Sequence, residues 1–249
     1  MNKDSTLKIF DDMAVVVAAA GVGKRFSKYK NKLFVSLENE PVFIRTLKNI
    51  IDFIPPENIF LSINPRIRQQ YIEYLEKYFE DRGADINIIS GGQTRMHSVY
   101  NAIKQIPESI KFTAVHDAAR PYADYNLFRK CLMAADEFGS AVPAKKITDT
   151  IKRSSSKNFI IEEIDRENVW AVETPQIFLR DKLLMAYQYA FEKGLSSNDD
   201  AGVMEYSGFQ PYIVENTFLN KKITFADDIV PSSMYDKSAM KISIKKTSD

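Results

Sequence analysis

The chain of 249 residues is poor in the residues that build disulfide and metal centres, with one cysteine and two histidines. With Cys131 alone, an intramolecular disulfide framework and a cysteine-rich zinc site are both excluded. The net charge of +1 gives no overall field that would favour nucleic acid or a membrane surface. Any attraction for anions must therefore be local.

Long apolar segments are also lacking. No run reaches the roughly 18 residues that a membrane-spanning helix needs. The first twelve residues, MNKDSTLKIFDD, carry three acids and no apolar stretch typical of a signal peptide. These absences favour a cytoplasmic protein.

What is present is typical of an α/β protein. Hydrophobic residues make up 45% and charged residues 27% of the chain, and this length can bury a sizeable core. Strands are predicted at 13–20, 58–63, 85–90 and 111–117, and helices at 41–53, 65–83 and 94–106, the second helix ending at Gly83. The alternation predicts a Rossmann-like, mostly parallel sheet with helices on both faces.

The carboxyl ends of parallel strands are the usual place for a ligand. Three unusual loops, 18–32, 90–98 and 116–121, all fall at that edge of the predicted sheet. This edge is therefore the expected site.

After residue 139 the pattern changes. Short strand-like runs SAVPA, TDTIKR and NFIIEEI are separated by lysine- and serine-rich turn material. We interpret 145–173 as a β-rich arm inserted into a single domain that spans 1–249. Helical patterns at 180–193 and 199–207 and a strand-like FQPYIV follow, and 232–249 is predicted to be a loose tail.

The loop AAAGVGKRFSKYKNK, residues 18–32, has the composition of a phosphate-binding loop. It is not a Walker A loop, which would need glycine and serine or threonine where Ala18 and Arg25 stand, and Phe26 breaks the dinucleotide motif. Gly21 and Gly23 can bring backbone N–H groups close to a ligand. Five cations follow without an acid: Lys24, Arg25, Lys28, Lys30 and Lys32. Such a loop can wrap a triphosphate and neutralise a transferring phosphoryl group, although a merely solvated loop is the alternative.

Six further motifs sharpen this interpretation. After the A-A-G-x-G-x-R run and a lysine seven residues beyond its arginine come GGQTRMHSV, VHDAARPY, DTIK, DRENVW, ETPQIF and DDAGVMEYSG. In this order, over about residues 13–230, they resemble the motifs of the 2-C-methyl-D-erythritol 4-phosphate cytidylyltransferase family. The resemblance implies a nucleotidyltransferase-type fold with a β-rich dimerisation arm. It also implies CMP transfer from CTP to methylerythritol phosphate in the non-mevalonate isoprenoid pathway.

The resemblance assigns catalysis to Arg25 and Lys32, which would stabilise the transition state at the α-phosphorus. The family usually has P-K-Q where this chain has Asn31-Lys32-Leu33, so Lys30 is a rival for the catalytic lysine. Mg²⁺ is implied as a cofactor bound mainly through the phosphates of CTP.

Nucleotide binding falls, by resemblance, on residues of the first, second and third loops. These are Ala19, Ala20, Gly21, Gly23, Gly92, Gln93, Ser98, Asp117 and Ala118. Asp117 is also a possible metal ligand, directly or through water, while a turn cap is its structural alternative. Ser98 is otherwise an ordinary helix residue, and Gln93 stands where the family commonly has aspartate. Arg95 can hydrogen-bond in this region, and Arg120 would orient Asp117 or contact substrate.

The sugar phosphate would be positioned by four residues: Thr150, Arg166, Thr174 and Lys222. Arg166 and Thr150 lie on the arm, which in the family crosses to a second subunit, so a homodimer is implied. Lys221 is an alternative to Lys222, and Asn198 stands where the family often has threonine.

Three rival functions remain at this stage. A ribitol 5-phosphate cytidylyltransferase would use the same chemistry on another acceptor. A nucleotide-binding protein without turnover would not need the separate cations of the motifs. A Rossmann oxidoreductase is disfavoured by Phe26 and by the positive charge of the loop.

Overall fold

The structure, a computed structural model, describes residues 8–21 and 31–229. The basic stretch 22–30, with Gly23 and Arg25, and the tail 232–249 lie outside these ranges. The first half contains β1 (Met13–Ala19), β2 (Ser36–Leu37), β3 (Glu40–Pro41), α1 (Val42–Ile51), β4 (Ile59–Ile63), α2 (Arg68–Phe79), α3 (Asp81–Ala84), β5 (Asn87–Ser90), α4 (Arg95–Ile103) and β6 (Phe112–Asp117). The second half contains α5 (Tyr125–Phe138), β7 (Ser140–Lys146), β8 (Ile151–Ser154), β9 (Ile160–Ile164), β10 (Trp170–Val172), β11 (Gln176–Leu179), α6 (Arg180–Glu192), α7 (Asp200–Tyr206) and β12 (Ile213–Glu215).

The described residues build one eight-stranded sheet in the order β10-β7-β11-β6-β1-β4-β5, with β12 also paired to β7. Strands β1, β4, β5 and β6 are mutually parallel, and only β10 and β11 run against the rest of this sheet. The mostly parallel sheet predicted from the sequence is confirmed.

Helices cover both faces of the sheet because successive side chains of a strand point to opposite sides. In β1, Met13, Val15 and Val17 join a core with α1, α2 and α5. The intervening Ala14 and Val16 join a second core with α4, α6 and α7. The continuous apolar run at 13–20 therefore reflects burial on both faces.

The second predicted helix, 65–83, is wrong in extent. A single 3₁₀ turn, Pro65–Ile67, precedes α2, which ends at Phe79 rather than at Gly83. Glu80 takes φ 49°, a left-handed conformation that breaks the helix, and Gly83 lies inside the short α3. The predicted strand FQPYIV is also displaced, since β12 begins only at Ile213.

Strands β8 and β9 pair as a separate antiparallel sheet, within the segment interpreted as an arm. Three consecutive apolar side chains here are largely exposed: Phe159 at 71%, Ile160 at 69% and Ile161 at 61%. None of the helices in the described ranges is long and apolar enough to cross a membrane.

Candidate active site

A cavity of about 460 Å³ opens at the carboxyl ends of β1, β4, β5 and β6. Its wall is built from the loops that follow these strands and from one distant segment. The lining residues are Ala18, Ala20, Gly21, Lys32, Leu33, Asn64, Pro65, Arg66, Gly91, Gly92, Gln93, Thr94, Arg95, Ser98, Asp117, Ala119 and Lys222. The cavity thus lies at the edge where the sequence predicted a ligand.

Two glycines allow the loops of this wall to pack closely. A Cβ on Gly91 would lie 2.5 Å from the Cβ of Ala20, and one on Gly92 would lie 2.4 Å from the Cβ of His97. The Ser98 hydroxyl accepts a hydrogen bond from the Gly92 N–H at 3.0 Å and donates to the carbonyl of Thr94 at 2.8 Å. Ser98 therefore shapes the loop and is not simply an ordinary helix residue.

Asp117 is the electrostatic centre of the cavity. Lys222 Nζ lies 2.7 Å from its Oδ2, Arg120 Nε lies 3.5 Å from the same oxygen, and Arg95 Nε lies 3.6 Å from Oδ1. Burial alone would raise the pKa of Asp117, but the charges of Arg95, Lys222 and Arg120 outweigh it and hold the pKa well below its usual range. Asp117 is thus an ionised carboxylate held by cations.

A chain of hydrogen bonds through His116 and Thr174 holds the backbone of Asp117 in place. His116 Nε2 faces the carbonyl of Arg120 at 3.2 Å, so Nε2 carries the proton. His116 Nδ1 then accepts from the Thr174 hydroxyl at 3.0 Å, and the Thr174 oxygen accepts from the Asp117 N–H at 3.1 Å. Burial lowers the pKa of His116 to about 4, so the ring is neutral at physiological pH. Thr174 and His116 thus fix the backbone of Asp117.

Lys32 is presented by a capped turn. The side chain of Asn31 accepts a hydrogen bond from the Leu33 N–H, which starts the 3₁₀ turn Lys32–Phe34. Lys32 Nζ donates to the carbonyl of Ile223 at 2.7 Å, and Ile223 is the residue that follows Lys222 in the chain. Asn31 therefore supports the turn at the place where the family usually has proline.

The neighbouring lysines Lys221 and Lys222 have different environments. Lys221 pairs with Asp228 at 2.8 Å, whereas Lys222 lines the cavity beside Asp117. The geometry favours Lys222 as the lysine that meets a ligand.

Arg95 has a partner that sequence reasoning missed. Its Nη2 lies 2.7 Å from Oδ2 of Asp200, which is fully buried at the start of α7. Burial alone would lower the pKa of Arg95, but the carboxylates of Asp200 and Asp117 outweigh it and raise the pKa. The motif DDAG contains this acid, yet its sequence signal is only that of a helix N-terminus.

The remaining candidates in the described ranges are not among the residues that line the cavity. Ala19 and Ala118 are buried, and Asn198 is exposed. Thr150 and Arg166 lie on the arm, where Arg166 donates to the carbonyl of Thr148. A second cavity of about 470 Å³ next to Arg166 is lined by residues Lys146, Ile147, Asp165, Arg166, Glu167, Asn168 and Val169.

Asp117 is the acid in the described cavity wall that suits a magnesium ion. Mg²⁺ typically takes one or two carboxylates together with substrate phosphates, and it keeps several waters. Within the described ranges no cluster of three or more histidine, cysteine or acidic residues could hold a metal. One ionised carboxylate facing a cavity fits a metal held mainly by phosphates.

Comparison with known proteins decides the family. The family model for 2-C-methyl-D-erythritol 4-phosphate cytidylyltransferase matches residues 13–237. The chain belongs to this family. It is 38% identical over 220 residues to the enzyme of that name from Bacillus velezensis, covering 88% of this chain and 93% of the relative. The corresponding figures for the Mannheimia succiniciproducens enzyme are 36% over 222 residues, with 88% and 94% covered.

Solved structures agree with the sequence comparison. The Francisella tularensis 2-C-methyl-D-erythritol 4-phosphate cytidylyltransferase has a TM-score of 0.73 at 28% identity, covering 87% of this chain and 96% of the other. The Anaerococcus prevotii 4-diphosphocytidyl-2C-methyl-D-erythritol synthase has a TM-score of 0.75 at 22% identity, covering 93% and 98%, which supports the fold alone. The predicted family, fold and enzyme class are confirmed.

Proposed function

We propose that this chain transfers CMP from CTP to 2-C-methyl-D-erythritol 4-phosphate, forming 4-CDP-2-C-methyl-D-erythritol and pyrophosphate in the non-mevalonate pathway. The observation that carries the proposal is the cavity wall of a chain of this family, in which Arg95 and Lys222 pair with the ionised Asp117 and Lys32 lines the same cavity. Both reactants are anions, so a wall rich in cations can bring them together.

The nucleotide is proposed to occupy the loops after β1 and β5. Gly92, Gln93 and Ser98 line one wall, where the Gln93 amide offers a donor and an acceptor to the base. Ala20 and Gly21 line the adjoining part of the cavity, and a Cβ on Gly21 would meet no atom of the described residues within 4 Å, so its backbone is open to a phosphate. Ala19, Gly23 and Ala118 complete the proposed nucleotide set.

The reaction requires charge stabilisation more than a base, because the attacking phosphate is already ionised. Arg25 and Lys32 are proposed to stabilise the α-phosphorus as the acceptor attacks in line and pyrophosphate leaves. Lys32 donates to the carbonyl of Ile223, the residue after Lys222, so the lysine assigned to the nucleotide and the lysine assigned to the acceptor phosphate line the same cavity. This arrangement supports a short distance between the reacting groups.

Mg²⁺ is proposed to be held by the phosphates of CTP and by Asp117, directly or through water. When bound, the ion would neutralise negative charge on the triphosphate. Asp117 itself orients Lys222 and Arg120, and Thr174 keeps the Asp117 backbone in place.

The acceptor site is proposed to be completed by a second subunit in a homodimer. Thr150 and Arg166 lie on the arm and outside the described wall of the central cavity, while the same arm exposes Phe159, Ile160 and Ile161. Burying such a patch against a second copy would stabilise a dimer and place Arg166 at the neighbour's phosphate. Asn198 would face the hydroxyl groups of the acceptor.

Complementation between inactive chains tests the shared site. Arg25→Ala and Arg166→Ala chains, mixed and shown to form heterodimers, should regain part of the activity if each site takes residues from both chains. Failure of verified heterodimers to recover would mean that one chain builds the whole site.

The proposed reaction is tested by incubating the purified chain with CTP, Mg²⁺ and the sugar phosphate and measuring the pyrophosphate that is released from CTP. Release that requires the acceptor is expected. A chain that binds CTP but releases no pyrophosphate with any acceptor would be a binding protein, and the proposal would be wrong.

A further inference from the structure

Asp200 is the closest carboxylate to Arg95 in the described part of the chain, although it lies outside the cavity lining. Its Oδ2 is 2.7 Å from Arg95 Nη2, while its Oδ1 accepts a hydrogen bond from the Tyr187 hydroxyl at 2.5 Å. The side chain of Asp200 is fully buried. Its position is fixed further by Gln176 Oε1, which accepts from the N–H groups of Asp200 and Ala201 at 3.0 and 2.9 Å.

Arg95 is thereby shared between two carboxylates. Its Nη2 faces Asp200 at 2.7 Å, but its Nε faces Asp117 at the longer distance of 3.6 Å. The shortest ion pair of Asp117 is instead with Lys222, at 2.7 Å. Arg95 thus faces Oδ1 of Asp117 and pairs more closely with the buried Asp200, whereas Lys222 pairs with the other oxygen of Asp117, Oδ2.

We propose that Asp200 is a positioning residue of the nucleotide site. It holds the Arg95 guanidinium at the cavity wall and so sets how closely Arg95 pairs with Asp117. This inference rests on the proposed function, because CTP is the ligand that the wall would take. Asp200 touches no reactant and acts through Arg95.

Removing the charge of Asp200 changes this balance in a defined way. Asp200→Asn keeps an oxygen for the Tyr187 hydroxyl but loses the anionic partner of Arg95. Asp117 Oδ1 is then the remaining carboxylate oxygen near the guanidinium, which moves towards it and away from its position at the wall. We expect CTP to bind about tenfold more weakly, the size of effect typical for coupled neighbours in one ionic network.

A double-mutant cycle on CTP affinity separates positioning from general structural support. The dissociation constant is measured by titration calorimetry with Mg²⁺ for the unmodified chain, Asp200→Asn, Arg95→Gln and the double variant. If Asp200 acts through Arg95, Asp200→Asn should have little further effect in the Arg95→Gln background. Additive effects, or unchanged CTP affinity in the single variant, would overturn the inference.

Two control variants distinguish a positioning role of Asp200 from a purely structural effect on CTP affinity. Asp124→Asn makes the same chemical change at the N-cap of α5, where Asp124 accepts from the Leu127 N–H at 3.0 Å, and should leave CTP affinity unchanged. Tyr187→Phe removes the hydroxyl group but leaves the Arg95–Asp200 pair, so it should lower the Tm and shift the CTP dissociation constant by less than about twofold. A tenfold shift in Tyr187→Phe would show that CTP affinity follows stability and would overturn the inference, even if Asp200→Asn did not fold.

The outcome for the unmodified chain distinguishes the two proposals. Normal CTP binding and turnover together with an additive cycle would overturn only the positioning role. Absence of CTP binding in the unmodified chain would overturn both.

Discussion

Replacing Asp117 by asparagine tests the electrostatic account of the cavity through the stability of the folded chain. The side chain is 10% exposed and is surrounded by three cations at 2.7 to 3.6 Å. Removing one partner of a buried ion pair costs about 3–5 kcal/mol. Because the Lys222 side chain remains 36% exposed and is partly screened by water, we expect the lower end, about 3 kcal/mol. For a chain of this size this loss lowers the Tm by about 6–12 °C.

The pH dependence gives this prediction a second, independent readout. The pKa of Asp117 is lowered in the folded state, so its stabilisation is fully present above the ordinary carboxyl pKa of about 4 and is lost as the pH falls further. Between pH 7 and pH 3 the stability difference between the unmodified chain and Asp117→Asn should shrink by about 1 kcal/mol.

Urea unfolding followed by circular dichroism at both pH values measures these differences. Asp136→Asn is the matched control, because Asp136 pairs with Lys111 at 2.6 Å while both side chains are more than half exposed. This exposed pair should contribute less than about 1 kcal/mol. An Asp117→Asn variant as stable as the control, or a stability difference that does not vary with pH, would refute the reasoning.

Three further substitutions test separate parts of the wall. Lys32→Ala should lower kcat by about 100-fold or more with a modest change in CTP affinity, and near-normal kcat in a steady-state assay would move the role to another lysine of the loop. Lys222→Ala should chiefly raise the KM for the sugar phosphate, and an equal effect of Lys221→Ala would contradict that assignment. Gly91→Ala should cost about 1–3 kcal/mol in thermal unfolding because of the clash at Ala20, and a loss as small as that of Gly21→Ala would contradict this packing argument.

The main sheet could be predicted from the sequence because its signals are local. The run at 13–20 is apolar on both faces, and in the structure Val15 and Val16 indeed pack into different cores. The end of α2 could not be predicted, because Gly83 carries the usual stop signal while the break is made by the left-handed Glu80. A non-glycine residue in that conformation gives no local signal.

The candidate site could be predicted only for those residues that lie in the sequence motifs. Asp117, Lys222 and Arg95 were named from motif positions, but the sequence did not indicate that Lys222 and Arg95 both contact Asp117. Asp200 lies 105 residues beyond its partner Arg95 in the chain. An acid at the start of a helix has the sequence pattern of an ordinary helix N-terminus, so nothing in the sequence indicated that it pairs with Arg95. Contacts between distant segments of this kind depend on tertiary packing, which no local pattern encodes.

The central claim is that this chain uses methylerythritol phosphate as the acceptor of CMP. The most direct measurement is a competition in one reaction, with CTP, Mg²⁺ and equal concentrations of 2-C-methyl-D-erythritol 4-phosphate and ribitol 5-phosphate, and with the products identified by mass. The account predicts that 4-CDP-2-C-methyl-D-erythritol predominates and forms in step with pyrophosphate. A predominance of CDP-ribitol would contradict it, leaving the fold and the chemistry in place but assigning the protein a different substrate.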